Sequence, residues 1–370
     1  MFRHTHTIAD RWEDAARMAI AALGDLPDPD VLAFVYASDR FAPELGSLIA
    51  WLRAHTGIQY WVGTVGIGLC GSNWESYEQG ALSLLVTDIP EARFELVPNL
   101  STRVAPFLDA SAAWRSEADA HFGVVHGDPT NPNTPELIEA LGEGLDPGFL
   151  VGGISSSETT LPQVSGRIVS GGISGVLLSS EVGVTTGLSQ GCTLIGQRHE
   201  VTAGERNIVL ELDGRPALDV FEEEIGEVLA RDLRRVGGFI FVALPVPGSD
   251  TGDYLIRNLV GVDPENRLLA IGDYAEPGTM LQFARRDGQS AREDLLRMAR
   301  DTRERAGGTI RGALYFSCLG RGRNLFGEES AELKLIGEVL GETPLAGFYA
   351  NGEISHNRLY GYTGVLTLFH

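Results

Sequence analysis

Side chains suited to binding and catalysis follow two apolar runs near the C-terminus, at residues 313–316 and 345–348. If these runs are neighbouring strands, their ends place hydroxyl, thiol, guanidinium, amide and carboxylate groups around one spot. The residues concerned are Ser317, Cys318, Arg321, Arg323, Asn351, Gly352 and Glu353. The pattern therefore predicts a polar pocket on an apolar scaffold. The alternative is a pair of turns with both arginines in solvent.

The predicted pocket suits a zwitterion such as an amino acid. Arg321 and Arg323 can clamp a carboxylate through paired hydrogen bonds, and the glycines around them leave backbone N–H groups for an anion nest. Glu353 can hold an ammonium group, and Asn351 can both donate and accept hydrogen bonds. The alternative is that Arg321 and Glu353 form a structural ion pair with each other.

Cys318 directly follows a predicted strand, which is a position where nucleophiles occur. Activating the thiol requires a nearby base, and the candidates are His126, His199 and His356, brought close only by the fold. An alternative function is therefore a cysteine-dependent hydrolase of amides or thioesters. A buried thiol that only packs is the simpler interpretation.

Charge and composition disfavour several classes of function. Lys and Arg number 29 against 50 Asp and Glu, so the net charge is −21. Such a surface is repelled by nucleic-acid phosphates and by anionic membranes. The single lysine, Lys334, follows no glycine-rich phosphate loop, which argues against phosphate-loop and pyridoxal chemistry.

The cysteines and the N-terminus indicate a reducing compartment. Cys70, Cys192 and Cys318 are widely spaced and form no C-x-x-C pair, which argues against a disulfide framework and a structural zinc site. The N-terminus lacks the apolar core of a signal peptide, and no apolar run approaches the roughly 20 residues that span a bilayer. We expect a cytoplasmic protein without a metal.

A strand–helix–strand–loop–strand pattern recurs three times. Its segments are residues 31–37, 43–55, 60–66 and 81–86; then 122–129, 135–145, 149–153 and 175–179; then 313–317, 330–340, 345–348 and 364–369. Repeated units of this kind build stacked or adjacent β-sheets flanked by helices, so we predict an α+β fold of two related modules. Their loops are expected to gather at one end, where a ligand can bind.

The remaining segments are expected to join and flank these units. An N-terminal helix is predicted within residues 1–30, and the more polar segment 198–216 is expected to connect two halves. Further predictions are helices at 221–235 and 290–306 and strands at 238–244, 257–263, 268–272 and 280–283.

Several motifs together resemble the FIST family, whose name stands for F-box and intracellular signal transduction. The C-terminal motifs are FSCLGRG at 316–322, AGFYANGEI at 346–354 and RNLVGVDP at 257–264; the N-terminal ones are VGT at 62–64, HGDP at 126–129 and VGG at 151–153. The resemblance covers residues 31–369 and implies an N-terminal module at 31–215 and a C-terminal module at 216–370. Where the first module of the family often continues into Gly-Glu, this chain has Gly68-Leu69.

The resemblance implies a sensory protein for small ligands, with amino acids the usual suggestion, rather than an enzyme. Relatives carry such modules fused to a kinase, a receptor or an F-box. A stand-alone sensor is expected to act through a separate signalling protein such as a kinase. No cofactor is required by this reading, but some relatives are thought to bind haem, for which His126 and His356 are the candidate axial ligands. The remaining alternative is an interaction scaffold without a ligand.

Overall fold

The computed structural model describes residues 2–26, 29–145, 148–226, 236–246 and 254–370. The chain forms two compact units. One comprises the residues up to Gln190 together with Leu295–His370, and is called the repeat unit below. The other is Gly191–Asp294, called the inserted unit.

The helices and strands of the described residues are numbered in chain order. The helices are α1 Trp12–Leu23, α2 Leu45–Thr56, α3 Ala105–Ala118, α4 Thr134–Glu143, α5 Ala217–Ile225, α6 Gly288–Ala306, α7 Arg323–Phe326 and α8 Ala331–Leu340. The strands are β1 Arg3–Ile8, β2 Val31–Ser38, β3 Tyr60–Gly66, β4 Gly68–Gly71, β5 Trp74–Tyr77, β6 Ala81–Pro90, β7 Phe94–Leu100, β8 Phe122–Gly127, β9 Phe149–Ile154, β10 Gln163–Ser165, β11 Arg167–Val169, β12 Ile173–Leu178, β13 Val184–Ser189, β14 Thr193–Glu205, β15 Ile208–Leu212, β16 Arg215–Pro216, β17 Ile240–Pro245, β18 Tyr254–Asp263, β19 Leu268–Ile271, β20 Met280–Arg285, β21 Gly312–Cys318, β22 Leu345–Ala350, β23 Glu353–His356, β24 Arg358–Tyr360 and β25 Gly364–Phe369.

The predicted threefold repeat is confirmed. In each repeat two parallel strands are joined through helix, and a third strand returns antiparallel to the first. These strands are β2, β3 and β6 in the first repeat, β8, β9 and β12 in the second, and β21, β22 and β25 in the third. The predicted α+β class, with repeated units and helices beside the sheets, is therefore correct.

A hairpin from each repeat also pairs with a strand of another repeat. The hairpin β4–β5 of the first repeat pairs with β22, β10–β11 of the second pairs with β3, and β23–β24 of the third pairs with β9. Edge strands β1, β7 and β13 pair with β6, β12 and β25, so that three six-stranded sheets result. Because the exchange is cyclic, no sheet is complete without a strand pair from elsewhere in the chain.

The inserted unit interrupts the third repeat. After β1 and β7 the chain passes within a few residues into α1 and α3, respectively. After β13 it enters the inserted unit, and it returns through α6. The helix predicted within residues 1–30 is present as α1, while β1 was not predicted because its residues alternate polar and apolar only weakly.

The three sheets share one apolar core. Its buried side chains come from all three sheets and include Phe34, Val124 and Phe316. The opposite face of the first sheet packs against α1 and α2, and that of the second packs against α3 and α4. The sequence folds this way because its first strands are apolar on both faces, which requires cover on both sides.

Gly63, Gly152 and Gly347 occupy the same place in the three second strands. A Cβ atom there would lie 1.7, 1.8 and 1.8 Å, respectively, from a carbonyl oxygen of the parallel neighbouring strand. Such a distance is far below van der Waals contact, so only glycine allows the two strands to pair this closely.

The inserted unit is an antiparallel sheet that closes on itself. Strand β14 pairs with both β20 and β15, which closes the order β14-β20-β17-β18-β19-β15. Residues 198–216, which were expected to connect two halves, form strands of this sheet, and their polar side chains lie on its outer face. Of the helix predicted at 221–235, the structure has α5, while residues 227–235 lie outside the described part. The described helices include none that combines the length and the apolar character needed to cross a membrane.

Candidate ligand-binding site

One row of paired residues crosses the three sheets at equivalent positions. In the first strands of the repeats it contains Tyr36, His126 and Phe316. Their ring centroids lie 5.6 Å apart for Tyr36–His126, 6.0 Å for Tyr36–Phe316 and 6.1 Å for His126–Phe316. The three repeats therefore meet at these side chains, in the shared core and close to the C-terminal ends of the strands.

The row continues through the second strands into the exchanged hairpins. There it contains Gln163, Glu353 and Leu69, one from each hairpin. The Gly68-Leu69 and Gly352-Glu353 pairs, which differ in sequence, thus occupy equivalent places. The row is polar in two sheets and apolar in the third.

Most polar groups at this level bond within the protein. The hydroxyls of Thr64 and Ser155 lie 2.6 Å apart. Gln163 accepts a hydrogen bond from the Ser174 hydroxyl at 2.6 Å and donates one to the Gly172 carbonyl at 3.0 Å. Buried polar groups that bond in this way keep the core ordered.

Nδ1 of His126 is buried without a hydrogen-bond partner. The other exception is Glu353. Its side chain is fully buried. Oε2 accepts hydrogen bonds from the Thr363 N–H at 3.0 Å and the Thr363 hydroxyl at 2.8 Å. Oε1 is buried without a hydrogen-bond partner of normal geometry. A buried polar atom left in this state costs free energy unless something else binds it.

Burial raises the pKa of Glu353 to about 8, against the opposing effects of the Thr363 hydrogen bonds, the Arg321 charge and the Cys318 thiol. The carboxyl group is therefore mainly protonated at neutral pH. Because Oε2 already accepts two hydrogen bonds, the proton belongs on Oε1. The site thus offers an O–H donor without an acceptor.

Cys318 lies beside this carboxyl group at the end of β21. Its backbone N–H donates to the Thr363 carbonyl at 3.0 Å, and its carbonyl accepts the Arg321 N–H at 2.8 Å. The side chain is half-buried, whereas Cys70 is fully buried in the repeat unit. The structure therefore brings Cys318, Arg321 and Glu353 together at the predicted strand ends.

Arg321 is fully buried and pairs with Glu332, not with Glu353. Its Nε donates to Glu332 Oε1 at 2.8 Å, and both side chains are 0% exposed. The guanidinium also donates to the Ser189 hydroxyl at 3.2 Å and lies 5.1 Å from the centre of the Phe326 ring. Removing one member of such a pair would leave a buried charge uncompensated.

Glu332 receives the groups that the sequence assigned to a ligand carboxylate. The Tyr315 hydroxyl donates to it at 2.7 Å, the Ser317 hydroxyl at 3.1 Å and the Gly322 N–H at 2.8 Å. Arg321 and the Gly322 N–H therefore hold a carboxylate of the protein itself, while Arg323 takes no part in this contact. Glu332 was missed, although its place on the apolar face of α8, four residues before Ile336, was a signal.

The other predicted residues lie further from this carboxyl group or act through the backbone. Arg323 is exposed, pairs with Glu78 and lies 4.5 Å from the Tyr77 ring centre. Asn351 is exposed, and its N–H donates to the Ile154 carbonyl at 3.0 Å. Gly352 has a φ of 131°, a conformation that favours glycine in the turn before Glu353.

The three histidines that were candidates for activating Cys318 have hydrogen-bond partners other than its thiol. Burial lowers the pKa of His126 to about 3, and its Nε2 lies 3.3 Å from the Tyr36 hydroxyl. His199, in the inserted unit, lies 2.6 Å from Asp213 and 3.2 Å from Glu224. His356 is exposed and bonds to its neighbour Asn357.

These histidines do not fit an axial haem ligand. Packed rings surround His126, with Phe348 at 5.9 Å in addition to the two rings of its row. Haem ligation needs a cavity beside the ring, and His356 stands in solvent.

Comparison with known proteins matches two family models to consecutive parts of the chain. Residues 31–215 match the FIST N domain and residues 217–356 match the FIST C domain. The chain therefore belongs to the FIST family, whose domains are sensory domains of signal transduction. An uncharacterized protein of Mycobacterium tuberculosis (strain ATCC 25618 / H37Rv) is 31% identical over 355 residues, which cover 91% of each chain. An uncharacterized protein of Mycobacterium bovis is 35% identical over 250 residues, 65% of this chain and 62% of its own.

Proposed function

We propose that this protein is a sensory protein that binds a small polar ligand, an amino acid or a similar carboxylate, at the C-terminal ends of β21 and β22. The observation that carries the proposal is the buried, unpartnered Oε1 of Glu353. An O–H group in this state gains a hydrogen bond when a ligand supplies an acceptor oxygen, and a carboxylate is the strongest common acceptor.

The internal repeat supports this location. At the equivalent places the first repeat has Leu69 and the second has Gln163, whose amide groups are both bonded within the protein. Two buried atoms of this row have no hydrogen-bond partner among the residues described, Nδ1 of His126 and Oε1 of Glu353. Packed rings surround His126, so Glu353 is the group proposed to meet a ligand. The ligand carboxylate is proposed to meet Glu353, with Cys318 as a wall of the site and the Arg321 charge nearby.

We propose further that the signal passes to a separate protein such as a kinase. The proposed compartment is the cytoplasm, since all three cysteines are reduced thiols, as is usual in reducing compartments. The acidic surface favours neither nucleic acid nor anionic membrane as a partner.

A thermal-shift screen tests the proposal. Amino acids, simple carboxylates and simple amines are added to the full chain at pH 7. A ligand at about 100 times its Kd adds roughly 3 kcal/mol to the free energy of unfolding, which is about 5 °C in Tm for a unit of this size. Carboxylates are expected to raise the Tm, and Glu353→Leu is expected to abolish the shift.

The pH dependence separates two modes of recognition. If Oε1–H donates to a ligand carboxylate, the affinity falls as pH rises through about 8, because the ionised Glu353 repels the ligand. If Glu353 instead accepts from an ammonium group, the affinity rises over the same range. A screen in which no compound shifts the Tm would contradict the proposed function, and a shift with amines alone would contradict carboxylate recognition.

A further inference from the structure

The thiol of Cys318 and the carboxyl group of Glu353 lie side by side at the end of β21. Cys318 is half-buried and beside Glu353, whose side chain is fully buried. The other cysteines differ. Cys70 is fully buried, and burial raises its pKa well above the ordinary value of a thiol. Cys192 belongs to the inserted unit and is half-buried.

We propose that Cys318 is a covalent modification site, at which its thiolate reacts with a small disulfide, and that the adduct closes the ligand site beside Glu353. The second part rests on the proposed function; the first part does not. The reacting partner is identified by its chemistry alone, as a low-molecular-weight disulfide.

The reaction is a thiol–disulfide exchange. Cys318 loses its proton to water, and the thiolate sulfur attacks one sulfur of the disulfide. A bond forms between Sγ and that sulfur while the original S–S bond breaks. The departing thiolate takes a proton from water, so one thiol is oxidised to a mixed disulfide and one small thiol is released.

The surroundings favour the thiolate. A protonated Glu353 adds no negative charge and directs an O–H donor into the site, and a hydrogen bond to the charged form of a group stabilises that form. The guanidinium of Arg321 is near enough to act on the same carboxyl group. Partial exposure is one feature of reactive cysteines, and Cys318 is half-buried.

The repeat supplies matched substitutions. Leu69 and Gln163 occupy the positions equivalent to Glu353 in the other repeats. Glu353→Leu therefore removes the O–H donor. Leucine is already present at the equivalent position of the first repeat, as Leu69. Glu353→Gln keeps a neutral donor that cannot ionise.

The experiment uses the full chain and hydroxyethyl disulfide as the probe. Adducts are located by peptide mass mapping, and rates are followed by intact mass between pH 6 and about 9, as the titration range of thiols requires. The expected result is an adduct at Cys318 that forms about tenfold faster than at Cys192, and none at Cys70. Glu353→Leu is expected to slow the reaction of Cys318 about tenfold, the effect of one hydrogen bond to a charged group.

Glu353→Gln gives an independent readout through the pH profile. Above about pH 8 the wild-type carboxyl ionises and opposes the thiolate, so the Gln variant is expected to overtake the wild type there. Equal rates at Cys318 and Cys192, or a Gln-to-wild-type ratio that is constant with pH, would overturn the modification site. The Gln comparison decides the question even if Glu353→Leu does not fold.

Site closure is measured separately. After modification, the carboxylates that raise the Tm of the unmodified chain are expected to have no effect, and a reducing agent is expected to restore it. A ligand that still binds the modified protein overturns closure but not modification. If no ligand raises the Tm of either the modified or the unmodified protein, both site closure and the proposed function are contradicted. The mass measurements still decide whether Cys318 is modified.

Discussion

Glu353→Gln should make the stability of this protein less sensitive to alkaline pH. The pKa of Glu353 rises from 4.5 to about 8 because the carboxyl group is buried. Between these values the folded state holds a proton that the unfolded state has released. The free energy of unfolding therefore decreases as pH rises through this range, and the decrease is complete above the folded pKa.

The magnitude follows from the two pKa values. Each pKa unit corresponds to about 1.4 kcal/mol, so ionising Glu353 in the folded state costs roughly 5 kcal/mol at full extent. Relaxation of the site reduces this figure, and we expect a difference of about 3 to 5 kcal/mol between variant and wild type at pH 9 relative to pH 4.5. The Gln variant lacks the ionisation, so its advantage grows with pH and then levels off.

Urea denaturation at a series of pH values measures this difference. Glu78→Gln is the control, because it removes one negative charge from an exposed side chain, 72% accessible, and should leave the pH profile parallel to that of the wild type. Parallel profiles for Glu353→Gln as well would refute the reasoning, since they would mean that Glu353 does not hold a proton in the folded state at neutral pH.

Three further predictions concern the scaffold of the site. Arg321→Met should lower the free energy of unfolding by about 3 to 5 kcal/mol, because it leaves the Glu332 charge buried alone, and adding Glu332→Leu should recover most of this loss in denaturant titrations. Gly347→Ala should destabilise by more than about 3 kcal/mol or prevent folding, because its Cβ would meet a backbone oxygen at 1.8 Å, whereas Gly361→Ala, with open space around it, should be nearly neutral by Tm. His126→Phe should reduce acid sensitivity: the pKa of about 3 in the folded state, below the ordinary 6.5, means that stability falls as pH drops from 6.5 towards 3, by up to roughly 5 kcal/mol. Equal acid unfolding curves for this variant and the wild type would contradict the buried neutral imidazole.

The repeat was predictable because local sequence patterns indicate its strands, helices and turns. Apolar runs, intervening amphipathic segments and glycines such as Gly347 mark each strand and turn within a short window of sequence. The threefold recurrence followed from these marks, and the family followed from the resemblance of motifs such as AGFYANGEI at 346–354. The hairpin exchange could not be predicted, because the local sequence of short strands such as β10 and β24 does not indicate which sheet they join.

The inserted unit was also hidden from the sequence. Its segment 198–216 looked like a connection because its strands expose polar side chains on one face. Strand pairing is decided by partners distant in the chain, and β14 finds its partners in β15 and β20. Local composition cannot distinguish such an exposed strand from a loop.

The sequence by itself determined which chemical groups stand at the strand ends of the third repeat: a thiol, two guanidinium groups, an amide and a carboxyl group. Only the tertiary structure decided how they are paired. In the folded protein Arg321 pairs with Glu332, and Arg323 pairs with Glu78 at the surface. One carboxyl oxygen of Glu353 is buried in the core without a hydrogen-bond partner. The reason is physical, because pairing and protonation depend on burial and on distances between groups that the chain order leaves open.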